Sequence, residues 1–104
     1  MSDVKHLNSA NFEELTSKGL VLTDFWATWC GPCRMLGPVL DQVAEEMGDD
    51  AVIVKINIDE EQDLAVKFGV RSIPALFILK DGEVVESFVG VKDKSTLVNS
   101  LKSV

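Results

Sequence analysis

No apolar run in the 104-residue chain approaches the roughly 20 residues that a membrane-crossing helix requires. Repeats, low-complexity tracts and linker-like stretches are missing too, so residues 1–104 are expected to form a single domain around one core. Positive charge is scarce: 10 lysines and arginines face 17 acidic residues, a formal net charge of −7. That balance argues against nucleic acid and anionic membrane as partners. The acidic residues gather at Glu45, Glu46, Asp49 and Asp50, and again at Asp59, Glu60, Glu61 and Asp63, in spacings that match no calcium loop. They read as solvated helix faces and a loop. The opening Met1-Ser2-Asp3-Val4-Lys5-His6 lacks the basic and apolar regions of a secretory signal, which predicts a cytoplasmic location.

Metal-ligating side chains are few as well. A structural zinc site takes about four Cys or His ligands, and the chain offers Cys30, Cys33 and His6. No metal is expected. Nor do two cysteines in a leaderless chain suit a structural staple, because the cytosol keeps thiols reduced. Redox chemistry remains. Both cysteines lie in Trp29-Cys30-Gly31-Pro32-Cys33, one helical turn apart with proline opening the helix. That separation suits either a reversible disulfide or two free thiols. The helix N-terminus supplies unpaired N–H groups and a positive dipole end, which favour a thiolate.

Around this motif the chain alternates between strand and helix patterns. Phe12 and Leu15, between Asn11 and Gly19, predict a short helix. Leu20 to Ala27 is nearly continuous apolar sequence, as is Ala51 to Ile58, the pattern of strands buried on both faces. After the cysteines, Leu36, Leu40, Val43 and Met47 form one helical stripe, which continues past Pro38. Asp59 is the expected cap of a helix through Leu64, Ala65 and Phe68. Residues 74–79 and 84–89 flank Lys80-Asp81-Gly82-Glu83, a hairpin with a strong Asp-Gly turn signal, and Leu97, Val98 and Leu101 predict a last helix. The order βαβαβαββα implies an α/β fold, a mixed sheet covered by helices on both faces.

Asp24-Phe25-Trp26-Ala27-Thr28-Trp29-Cys30-Gly31-Pro32-Cys33, followed by Arg34, Met35 and Pro38, resembles the thioredoxin family. Lys55, Asp59, Ile73-Pro74 and Gly90 stand at the family's distances from the cysteines, and the resemblance spans essentially the whole chain. It implies the thioredoxin fold, a central mixed five-stranded sheet flanked by four helices. It also implies a protein-disulfide reductase and dithiol carrier, in which Cys30 attacks a substrate disulfide and Cys33, more buried, resolves the mixed disulfide. Gly31-Pro32 resembles the reducing branch; Pro-Tyr would suggest glutaredoxins and Gly-His the protein disulfide isomerases. The implied partners are an NADPH-dependent thioredoxin reductase and substrates such as ribonucleotide reductase, peroxiredoxin and methionine sulfoxide reductase. No bound cofactor is implied, and a monomer is expected. An oxidant or isomerase of the same fold is the alternative within this chemistry, disfavoured by Gly31-Pro32 and the missing leader. From another class, the domain could be a redox-silent scaffold for a partner protein.

The remaining site residues carry two readings each. On the residues alone, Asp24 reads equally as a hydrogen-bonded structural carboxylate or a catalytic one, since an unpaired carboxylate in a buried strand is costly. The resemblance implies a proton relay to Cys33, with Lys55 as the carboxylate's partner; otherwise Lys55 is a snorkelling lysine. For Trp26 it implies an indole N–H bonded to Asp59, bracing the active-site loop. Trp29, with Ile58, Gly31-Pro32, Ile73-Pro74 and Val89-Gly90-Val91, reads as an apolar docking patch. Ile73-Pro74 would ordinarily be trans; the resemblance implies a cis bond offering Ile73 backbone to an extended substrate. Ala75 stands where the family usually has threonine, which bears on substrate preference. His6 and Met35 read as structural or surface residues.

Overall fold

The computed structural model describes residues 4–104; Met1–Asp3, half of the segment on which the leader reading rests, lie outside the described residues. Five strands form one sheet: β1 (Lys5–His6), β2 (Leu20–Trp26), β3 (Val52–Asn57), β4 (Ala75–Lys80) and β5 (Glu83–Val89). Four helices connect them: α1 (Phe12–Thr16), α2 (Gly31–Met47), α3 (Gln62–Lys67) and α4 (Lys94–Lys102). The sheet order is β1-β3-β2-β4-β5, with β1, β3 and β2 parallel and β4 and β5 antiparallel to their neighbours. This is the mixed five-stranded sheet with four helices that the sequence predicts. Strand β1 has only two residues, both exposed, and no apolar run marks it.

Strand β2 lies at the centre and is buried on both faces, which explains its apolar run. Alternation sends Val21 and Phe25 towards Phe12 of α1 and Leu64 of α3. Leu22 faces Leu36, Leu40 and Val43 of α2, with Leu97 and Leu101 of α4. Full burial of each such side chain contributes about 1.5–3 kcal/mol. The α2 stripe is buried as expected, and Pro38, exposed on the outer side, does not end the helix. Gly48 closes α2 with φ +54°, its N–H donating to the Ala44 carbonyl.

The turns follow their residues. Asp81 and Gly82 both have positive φ, 50° and 87°, as a type I′ hairpin turn requires. Asp93 caps α4, its Oδ1 accepting the Thr96 N–H at 2.8 Å. The expected Asp59 cap of α3 is displaced: Glu61 occupies the N-cap and the helix begins at Gln62. Asn57 is the cause. Its side chain accepts the Asp59 N–H at 2.9 Å and its carbonyl the Glu61 N–H at 2.9 Å, so a local turn uses up these residues first.

Candidate functional site

The site forms where β2 runs out and α2 begins. Cys30 is the N-cap of α2, in extended backbone (φ −91°, ψ 110°), and its Sγ accepts the Cys33 N–H at 3.2 Å. Gly31 and Pro32 make the first helical positions, where proline's missing N–H leaves no bond unmade. The Cys30 and Cys33 Cα atoms are 5.3 Å apart and their sulfurs form a disulfide. Cys33 is 1% exposed and Cys30 5%, so Cys30 is the more accessible, though less open than its place at a helix terminus predicts. Ala27, Trp26, Ile58 and Ile73 pack around the pair and account for this burial. Surface accessibility lies instead on Trp29 (65% exposed), Gly31 and Pro32.

A second loop closes the other side. The Ile73–Pro74 bond is cis, and the Ile73 carbonyl oxygen stands 3.9 Å from Cys30 Sγ. The Gly90 N–H donates to the Pro74 carbonyl at 2.9 Å, tying Val89-Gly90-Val91 to this loop. Val89 and Val91 are exposed while Ile58 and Ile73 are half-buried, so apolar side chains rim the disulfide. Ala75 is buried, paired with Phe25 on one side and Val89 on the other. Neither cysteine lines the cavities of about 180 to 280 Å³, although Asp59 lines one of them. Among the described residues, no group of three or more His, Cys, Asp or Glu could hold a metal ion.

The two tryptophans exchange one expected role. Trp29, not Trp26, donates its indole N–H to Asp59, Nε1 to Oδ2 at 2.8 Å. The Trp26 Nε1 is buried without a hydrogen-bond partner. Strand alternation is the reason: Trp26 belongs to β2 and points onto the sheet face beside Lys55, whose Nζ sits 4.4 Å from its ring centroid. Trp29 lies beyond the strand, and its exposed ring reaches the turn carrying Asp59.

Asp24 sits two residues before Trp26 on the same face, fully buried, with neither carboxylate oxygen hydrogen-bonded. Burial pushes its pKa up to about 7, and the Lys55 charge opposes that rise. Lys55 is its register partner on β3, and Leu76 flanks it on β4. The carboxyl group therefore titrates near neutrality beneath the helix that starts with the cysteines. His6, without a role on sequence grounds, lies edge-on to Trp26 at 6.0 Å between centroids. Only sheet register, which the sequence did not mark at β1, reveals that placement. Met35 is 69% exposed, a surface residue as expected.

Comparisons with known proteins agree with this geometry. The family model described as Thioredoxin matches residues 3–103. A curated thioredoxin of Listeria monocytogenes is 56% identical over 94 residues, covering 90% of this chain and 91% of that protein. One from Bacillus subtilis is 59% identical over 87 residues, covering 84% of each chain. The solved structure of a mutant thioredoxin from Halobacterium salinarum superposes with a TM-score of 0.90 at 41% identity, covering 97% of this chain and 89% of that one.

Proposed function

Taking as premise that the chain belongs to the thioredoxin family and is a thiol–disulfide oxidoreductase and dithiol redox carrier, we propose that Cys30 attacks and Cys33 resolves. One observation carries this order: Cys30 Sγ is the helix N-cap acceptor, and Cys30 is the more accessible residue of the pair. In the reduced protein the same amides favour a Cys30 thiolate. That thiolate attacks one sulfur of a substrate disulfide, a mixed disulfide forms, and the other substrate sulfur leaves as a thiolate. Cys33 then gives up its proton and attacks Cys30 Sγ. The second substrate sulfur departs, two electrons have passed to the substrate, and the Cys30–Cys33 disulfide remains. Asp24, with a carboxyl group poised near neutrality by burial, is the acceptor of the Cys33 proton, and Lys55 tunes it.

The partners are disulfide-containing substrates and a reductase. We read the reductase as an NADPH-dependent thioredoxin reductase, and ribonucleotide reductase, peroxiredoxin and methionine sulfoxide reductase as substrates. Trp29, Ile58, Ile73, Val89, Gly90 and Val91 form their docking surface. Gly31, Pro32, Trp26, Asp59 and Pro74 support it. The chain is read as one domain over residues 1–104, a cytoplasmic monomer needing no bound cofactor. No helix among the described residues is long and apolar enough to cross a membrane.

Trapping tests the order of attack. Cys33→Ser is expected to accumulate disulfide-linked partners and Cys30→Ser almost none, as read by mass spectrometry of captured complexes. Equal capture by both variants overturns the assignment. Insulin reduction with NADPH and a thioredoxin reductase measures the carrier activity itself.

A further inference from the structure

One row of side chains crosses the sheet under α2. Strand register aligns His6 with Lys55 and Lys55 with Asp24, so the three lie side by side on one face, from the edge strand to the centre. Trp26 is next along β2 on that face, and two of the three converge on it. Lys55 Nζ lies 4.4 Å from its centroid, and the His6 ring meets it edge-on at 6.0 Å with planes at 73°. The buried Trp26 indole N–H has no hydrogen-bond partner, so ring contacts rather than a tether fix its plane. That plane is the surface on which the Lys55 cation rests.

We propose that His6 is a positioning residue for the proton-transfer group: its ring fixes Trp26, Trp26 seats the Lys55 ammonium, and the seated ammonium keeps Asp24 from being too weak an acid. The proposal rests on Asp24 as the proton acceptor for Cys33 and adds the chain of contacts that tunes it. Few other groups could do so. Strand β4 presents Leu76 to this face, α2 presents Cys33, Leu36 and Leu40, and α4 presents Leu97 and Leu101. Among the described residues, Lys55 is the one charge acting on the carboxyl group against burial. A long, rotatable side chain that is only half-buried swings out into water unless something holds it. Losing it leaves desolvation unopposed, and the carboxyl group stays protonated to higher pH.

The test follows the Asp24 carboxyl carbon by NMR titration in the full chain, with stopped-flow measurement of mixed-disulfide resolution against pH. His6→Ala is expected to move the Asp24 midpoint upward by about half a pH unit, part of the ~1 expected on removing an opposite charge with Lys55→Met. The acid limb of the resolution profile should move with it. His6→Phe keeps the ring and should hold the wild-type midpoint. In a Lys55→Met background, His6→Ala should add nothing, because its route to Asp24 is gone. An unchanged midpoint in His6→Ala, or a downward one as from a ring that merely keeps water out, overturns the proposal. An undiminished shift in the Lys55→Met background does the same. If Asp24→Asn leaves resolution unchanged at every pH, the proton-acceptor reading fails instead, and the NMR midpoints still report on the contact chain.

Discussion

On the face covered by α1 and α3, Phe12, Phe25, Phe68 and Phe77 meet ring against ring, with centroids 5.2 to 5.6 Å apart. One residue before Phe25, β2 turns Asp24 to the opposite face, where the carboxyl group is as deeply buried as the phenyl ring but has no hydrogen-bond partner. The same strand thus delivers adjacent side chains to two different ends. The aromatic face gains dispersion and apolar burial, and its unpaired polar atom, the Thr23 hydroxyl, is neutral at every pH. The other face accepts an unpaired carboxyl group, which costs stability whenever it ionises. Both faces of β2 carry apolar core, but only the face under α2 also carries the ionisable group and its cost.

The largest expected effect tests the first side. Phe25→Ala removes a ring that touches two others and should destabilise the fold by about 3–5 kcal/mol, as read by denaturant unfolding. Once corrected for the folded fraction, mixed-disulfide resolution should keep its wild-type pH dependence. A shifted pH profile in Phe25→Ala would mean that the two faces are not separable.

How far this division was legible in the sequence depends on what each feature needs. Continuous apolar runs marked β2 and β3, and the helical stripe marked α2, because these are local patterns. The cysteine motif announced its own geometry. The order βαβαβαββα includes a strand before the first helix, but no local pattern placed β1, because two exposed polar residues bury nothing; its pairing follows from β3. The contact of His6 on Trp26 went unplaced with it. The Asn57 turn displaced the α3 cap because two acceptors on one residue outcompete a capping Asp59. The tryptophan exchange required knowing where β2 ends, since that alone decides which indole can reach Asp59.

The second effect reverses sign. Replacing Asp24 by asparagine should stabilise the protein at neutral pH, whereas most buried substitutions do the opposite. The folded-state pKa of about 7 lies above the ordinary 3.8, so the unfolded chain releases this proton first. Below the unfolded value the carboxyl group is protonated in both states and costs nothing as an anion. As pH climbs towards 7, the folded protein loses stability relative to Asp24→Asn, and above 7 the difference levels off. The plateau should be on the order of 2–4 kcal/mol, because ~1.4 kcal/mol accompanies each pH unit and the buried amide keeps part of the polar penalty. Unfolding curves at about pH 4 and about pH 8 measure it, on either side of the rise, and resolution by Cys33 should slow in the same variant. Equal stability differences at both pH values would place Asp24 with the aromatic face, as a structural residue only.

The smallest effect lies at the rim, where neither face is involved. Asp59→Ala removes the acceptor of the Trp29 indole N–H at an exposed position. Water replaces the lost bond in the free protein, so stability should change by less than about 0.5 kcal/mol. What changes is preorganisation: an untethered Trp29 must be ordered afresh in each complex. A net hydrogen bond of ordinary strength corresponds to an increase in KM for the reductase of roughly 2- to 10-fold, with kcat retained. Trp26 should be unaffected, since its indole N–H makes no bond to Asp59 and its ring rests against Lys55 and His6. Time-resolved anisotropy of single-tryptophan variants distinguishes the two indoles: Asp59→Ala should loosen Trp29 in a Trp26→Phe background and leave Trp26 unmoved in a Trp29→Phe background. Loosening of Trp26 instead would restore the pairing that the sequence suggested, and with it a structural link from the rim to the charged face of β2.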